Sequence, residues 1–186
     1  MLTNLTTKTY RLPNDEKLQE AMRYLAGVLS NDEFEQYVKY VGRWCAISFW
    51  YHPSGSNPLG FAAAEYFSNG IRLMTRMHKS KLIRYGYKVE MQKNTYEIVK
   101  AQYDIAKELN ADYVFMSREN NPKSLINYKD SLDFAEWTIE EDRHMTGNFD
   151  LMKSSWQYIM WAPIAAGAQL DLRKMTKEEW NETFTN

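Results

Sequence analysis

Apolar positions along the chain follow helical spacing first, then turn β-like, then become helical again. Thr9 to Leu12 reads as a short strand closed by Pro13, and Asn14 behind it is a good helix cap. Leu18, Met22, Leu25 and Leu29 recur at helical spacing, which predicts an amphipathic helix. Ser30-Asn-Asp-Glu33 forms a capping box ahead of Phe34, Val38 and Val41, so a second helix follows. From Trp44 the pattern changes. Trp44 to Tyr51, Leu59 to Phe67 and Ile71 to His78 are separated by the turn-forming run Pro53 to Pro58 and by Asn69-Gly70, which predicts a three-strand meander. Asn69-Gly70 is the strongest hairpin signal in the chain, because both residues tolerate positive φ.

Met91, Thr95, Ile98, Gln102, Ile105 and Leu109 mark one face of a long helix, with Val99, Tyr103 and Ala106 beside it. Asp112 to Ser117 predicts a strand. Asn121-Pro122 supplies a cap with proline at the first helical position, and Leu125, Tyr128, Leu132 and Ala135 give the helix that follows a buried stripe. Glu140 to Asp150 reads as a charged loop containing Gly147, and Trp156 to Trp161 as a last strand. A short tail helix is signalled by a Thr176/Glu179 capping box and a Met175–Trp180 staple. The order of elements predicts an α/β chain: a mixed sheet with helices on both faces, in one domain over 1–186.

Composition narrows the class. With 186 residues, 44% hydrophobic and 25% charged, the chain fits a single globular domain. Its longest apolar runs fall far short of the ~18–20 residues of a membrane span. The polar, threonine-rich start, Met1 to Arg11, has no signal or transit character, so a cytoplasmic protein is expected. Cys45, the only cysteine, excludes an internal disulfide and reads as a small buried hydrophobe. His52 and His144 lack ligand spacing, so no metal is expected. A net charge of -1 argues against a surface that traps nucleic acid as a whole. Locally the balance differs: no acid lies between Glu65 and Glu90, while Arg72, Arg76, Lys79, Lys81, Arg84 and Lys88 all do. Phosphate is the simplest partner for that run, from a nucleotide cofactor or from nucleic acid. The bland alternative is a set of solvated surface cations.

The element order resembles the GNAT superfamily of acetyl-CoA-dependent N-acyltransferases over roughly Thr9 to Pro163, leaving 164–186 as an extension. The most specific local match is Asn121-Pro-Lys-Ser124-Leu-Ile-Asn-Tyr128, similar to the Asn, small residue, Tyr series of that family. The resemblance implies acetyl-CoA as co-substrate. It implies that Leu73, Met74, Thr75, Arg76 and Met77 offer backbone groups to pantetheine, and that Lys79, Lys81, Arg84, Gly86 and Lys88 hold the pyrophosphate at a helix N-terminus. Arg84-Tyr-Gly86-Tyr-Lys88 keeps the family's arginine and first glycine and lacks its second small residue. Asn121 and Ser124 would contact the cofactor arm, with helix capping as the other role open to Asn121.

The same resemblance makes Tyr128 the acid that protonates the departing thiolate; otherwise it belongs to the stripe of Leu125 and Leu132. For the base, element position offers Glu65 and His78. Glu65 is expected on an exposed face unless alternation turns it inward, and His78 has either a catalytic or a structural, phosphate-side role. Three functions stand open: an N-acyltransferase acting on an unidentified amine, a DNA-directed enzyme, and a partner-binding protein of GNAT shape without catalysis. The second draws on the 15% aromatic content and six tryptophans, similar to GNAT-like proteins of tailed phages, among them the Mom proteins that modify adenine. Trp44, Trp50 and Trp137 are its candidates for holding a base out of the stack.

Overall fold

A computed structural model describes residues 5–53, 55, 57–67, 70–74, 77–79, 88–119, 138–142 and 157–169. The expected helix after Asn121-Pro122, with Tyr128, and the tail helix lie outside these residues. The chain divides into two compact units, Met1–Glu65 with Met74–Ile105 and Tyr66–Leu73 with Ala106–Asn186.

In the first unit both helix caps fall where the sequence set them, while the first strand starts three residues before the expected Thr9 and Val41 lies past the second helix. Strand β1 (Thr6–Arg11) leads to helix α1 (Asp15–Val28), whose cap Asn14 accepts the Lys17 N–H at 3.2 Å. Helix α2 (Asn31–Val38) starts on Ser30, whose hydroxyl accepts the Glu33 N–H at 3.3 Å. Val38, expected on the buried stripe, is exposed, because α2 seats only Phe34 and Tyr37 against the core. A 3-10 turn at Val41–Arg43 feeds β2 (Trp44–Tyr51), which is buried throughout.

Strand β2 pairs antiparallel with β1 (Thr9↔Ser48) and with β3 (Pro58–Phe67; Phe49↔Phe61). The β2–β3 ladder shifts between Trp44↔Glu65 and Ala46↔Ala64, so Cys45 is the extra residue of a bulge. That one-residue shift turns Trp44 onto the same face as Ile47, Phe49 and Tyr51. With Phe61, Ala63, Ala21 and Leu25 they form a core into which Leu18, Met22, Phe34 and Tyr37 pack. Each large apolar side chain buried there contributes on the order of 1.5–3 kcal/mol. The opposite face is lined with small residues, Ala46, Ser48, Ala62 and Ala64, and takes helix α3 (Lys88–Glu108), whose Gln102 reaches Ser48 and Ala62. Helices thus cover both faces of this antiparallel sheet.

The second unit is mixed in strand direction. Strand β4 (Gly70–Arg72) runs parallel to β6 (Tyr113–Glu119), through Gly70↔Tyr113 and Arg72↔Phe115. β6 pairs antiparallel with β8 (Gln157–Pro163), and β8 with β7 (Thr138–Asp142). Strand β7 corrects one expectation: residues 140–142, read as the start of a charged loop, are laddered. β7 has β8 as its only strand partner among the described residues, and such an edge position accepts acidic residues that a central strand would reject.

The Asn69-Gly70 signal also acquires a different reason. Gly70 does not adopt a left-handed conformation; a Cβ built on it would overlap the ring of Tyr113. The glycine serves close approach between paired strands. The last strand of the expected meander is divided in two. Ile71 to His78 is not continuous: β4 ends at Arg72, a turn at Leu73–Met74 intervenes, and β5 (Met77–Lys79) resumes against β3.

Candidate functional site

The candidate site is built on the turn at Met74 and on β5, within the first unit. The Leu73 N–H donates to Phe115 O at 2.9 Å, extending the β4–β6 ladder by one rung. At Met74 the backbone turns to φ 48, a left-handed value that is uncommon outside glycine. The Met74 N–H then donates to Gln102 Oε1 at 2.9 Å. Strand β5 returns to β3 in the register Ala62↔Met77, Phe61↔His78 and Gly60↔Lys79, and among the described residues it pairs with β3 alone. Tyr37 fastens it from α2, its hydroxyl donating to Met77 O at 3.0 Å.

Of the residues expected to meet a cofactor, Leu73 and Met74 are buried and their amides are engaged as above. Met77 is half-buried, Lys79 closes β5, and Lys88 is the first residue of α3. Thr75, Arg76, Lys81, Arg84, Gly86, Asn121 and Ser124, with the candidate acid Tyr128, lie outside the described residues.

His78 lies across from Phe61 and so shares the face that α1 and α2 cover. Its Nδ1 is 3.1 Å from the Tyr24 hydroxyl, which itself donates to Leu59 O at 3.0 Å. A phenol has one proton and a carbonyl can only accept, so in this arrangement Nδ1–H is the donor to Tyr24.

Glu65, expected on an exposed face, is fully buried. The bulge at Cys45 sets it opposite Trp44, and its carboxylate lies 3.8 Å from Nη2 of Arg43, itself buried. The Arg43 guanidinium also sits 5.7 Å from the centroid of the Tyr40 ring. Glu65 and His78 share one face of the sheet. Glu65 lies four positions along β3 from Phe61, the partner of His78, roughly 13 Å at about 3.3 Å per residue. They do not form a dyad.

Cys45 is no nucleophile. Its thiol donates to Ala64 O at 3.5 Å, and burial pushes its pKa up to about 12. Among the described residues no three His, Cys, Asp or Glu side chains gather to hold a metal, and no helix is long and apolar enough to cross a membrane. Sequence reading did not assign roles to Tyr24, Arg43 and Gln102. Only Gln102 carried a signal: it is the one amide on the otherwise apolar or small-hydroxyl stripe of the long helix.

No protein-family model matches the sequence, and no curated protein matches it in sequence. Solved structures do match in shape. The ribosomal-protein-S18-alanine N-acetyltransferase from Escherichia coli is 13% identical, with 89% of this chain and 99% of that chain covered at a TM-score of 0.53. A chain of the NatC complex bound to Gag peptide and CoA is 12% identical over 88% of this chain and 100% of that one, at 0.51. A GNAT-family protein from Chromobacterium violaceum ATCC 12472 is 9% identical over 87% and 83%, at 0.50. At such identities the likeness is one of fold.

Proposed function

We propose that this chain, which has the GNAT fold, is an acyl-CoA-dependent N-acyltransferase that acetylates an amine. The observation that carries the reading is the division of the third meander strand. Leu73 makes the last rung to β6, the backbone turns at Met74, and β5 pairs with β3, its other edge not laddered among the described residues. An open strand edge suits the amides of a pantetheine arm, which can pair with it as an added strand does. Next in sequence come Lys79, Lys81, Arg84 and Lys88, ending at the start of α3, where unpaired N–H groups and the helix dipole favour a pyrophosphate. The shared fold with two structures described as an N-acetyltransferase and as a CoA complex supports the same reading.

In the reaction, the amine nitrogen attacks the thioester carbonyl carbon, the carbon–sulfur bond breaks, and the acyl group leaves CoA for nitrogen. The amide N–H groups of Leu73 and Met74 are occupied, so we assign polarisation of the carbonyl oxygen to backbone amides beyond Met74. We assign the base to His78, half-buried on β5, and the acid that reprotonates the thiolate to Tyr128. Glu65 serves structure in this scheme, since its charge is already matched by Arg43 in a buried pair.

Calorimetric titration of acetyl-CoA into the protein tests the proposal. A dissociation constant between about 1 μM and 1 mM, the usual range for enzyme substrates, is expected, with Arg84→Glu weakening it at least about tenfold. No heat of binding at millimolar acetyl-CoA would overturn it.

A further inference from the structure

The geometry points to Gln102 as a positioning residue that holds the Met74 turn against β3, and so fixes the strand segment that receives the CoA thioester. The inference rests on the acyltransferase reading for its function, although the lock itself can be tested alone. Continuing the β3–β5 register back from Ala62↔Met77 would set Glu65 opposite Met74. Among the described residues Met74 does not make that pairing; it stands at φ 48 instead, and its amide needs another acceptor.

The Gln102 carboxamide supplies it. Fully buried on α3, it accepts the Met74 N–H on Oε1 at 2.9 Å and donates from Nε2 to Ala62 O and to Ser48 Oγ, both at 3.1 Å. The orientation of the amide is not open to a flip. A backbone N–H can only donate and a backbone carbonyl can only accept, so the two ends of the carboxamide are assigned by their partners. Ser48 Oγ continues the network to Thr9 Oγ1 at 2.7 Å, tying the division to β1 and β2 as well. One side chain thus bridges the Met74 amide to the backbone of β3.

This arrangement requires a side chain that accepts on one atom and donates on another. An ionised glutamate at the same place would set an oxygen against Ala62 O, whereas a protonated one could still accept from Met74 and donate to Ala62. Gln102→Glu should therefore bind acetyl-CoA nearly as wild type does at low pH, and lose at least about tenfold as the buried carboxyl ionises, its pKa raised by desolvation. Wild type should show no such dependence. Gln102→Met, which keeps the volume without the polar ends, should bind weakly at every pH.

The test joins amide hydrogen exchange at Met74 with acetyl-CoA titration of wild type, Gln102→Glu and Gln102→Met between pH 5.5 and 8.5. In wild type the Met74 amide should be protected although it lies in a turn; fast exchange there would overturn the lock without any variant having to fold. In Gln102→Met, faster exchange at Met74 with Phe49 and Ile47 unchanged, together with weakened binding, would support the assignment. Folded variants that bind as wild type at all pH values would overturn the positioning role. Failure of wild type itself to bind acetyl-CoA, with Met74 protected, would overturn the parent reading and with it the role assigned to the lock.

Discussion

Tyr24 and His78 share a hydrogen bond in which the imidazole is the donor, because the phenolic proton is committed to Leu59 O. The tautomer of His78 is therefore set by a residue of α1, 54 positions away in sequence. In the neutral protein, nitrogen chemical shifts should show His78 protonated at Nδ1, and Tyr24→Phe should redistribute the proton toward Nε2. The same substitution should cost about 0.5–1.5 kcal/mol of stability, the usual worth of one such bond. A wild-type ring protonated only at Nε2 would contradict the geometry.

A second relationship concerns the interior. Arg43 and Glu65 are both buried and 3.8 Å apart, so losing one removes a buried counter-charge of the other. Glu65→Met or Arg43→Met alone should cost about 3–5 kcal/mol in denaturant unfolding, while the double substitution should cost far less than the sum. Additive single costs would show that the pair is not coupled. Acetyl-CoA affinity should survive in whichever variants fold, since the pair is assigned to structure.

Much of the fold was legible in the sequence because its signals were local. Asn14 and Ser30 cap their helices as their residue types dictate, and the spacing of Ile98, Gln102 and Ile105 located α3. What escaped depended on partners distant in sequence. Nothing around Cys45 announces the bulge that turns Glu65 inward, since a bulge appears only in the register of β2 against β3. Ile71 to His78 reads as one strand, and its division depends on Gln102, 28 positions away. Charged β7 lacks the apolar alternation that marks a strand, and its pairing with β8 overrides composition. Of the candidate site, the position of His78 at the end of the meander was foreseen. Its partner Tyr24 was not, because a tyrosine on an amphipathic helix reads equally well as core.

The bulged cysteine gives a pH prediction. Burial raises the Cys45 thiol from its ordinary 9.0 to about 12 in the fold, so the neutral form is favoured there. Below pH 9 neither state ionises and the full stability is present. Between pH 9 and about 12 the unfolded chain loses its proton while the folded chain retains it, so stability must fall as pH rises through that window. Burial also raises the phenol of Tyr51, helped by its hydrogen bond to Glu20, and it acts in the same direction. Denaturant midpoints should decline over this range, and Cys45→Ala should make the decline shallower. At pH 8 a thiol reagent should label Cys45 only after unfolding; rapid labelling of the native protein would refute the burial.

Gly70 offers the sharpest steric test. It pairs with Tyr113 across the parallel β4–β6 ladder, and the tyrosine ring lies over its Cα where any Cβ would overlap it. Because Gly70 is not in a left-handed conformation, backbone strain makes no contribution, and the cost of Gly70→Ala is steric alone. Overpacking of this kind typically costs about 1–3 kcal/mol, and at roughly 2–4 °C per kcal/mol for a chain of this size the melting temperature should fall by several degrees. The ring has little room to swing aside, since Tyr113 is buried and packs against Phe115 and Trp161. Removing the ring should remove the conflict: in a Tyr113→Ala background, Gly70→Ala should be nearly neutral, or mildly stabilising because alanine narrows the unfolded ensemble. If Gly70→Ala costs the same with and without Tyr113, the glycine is required by something other than the approach of that ring.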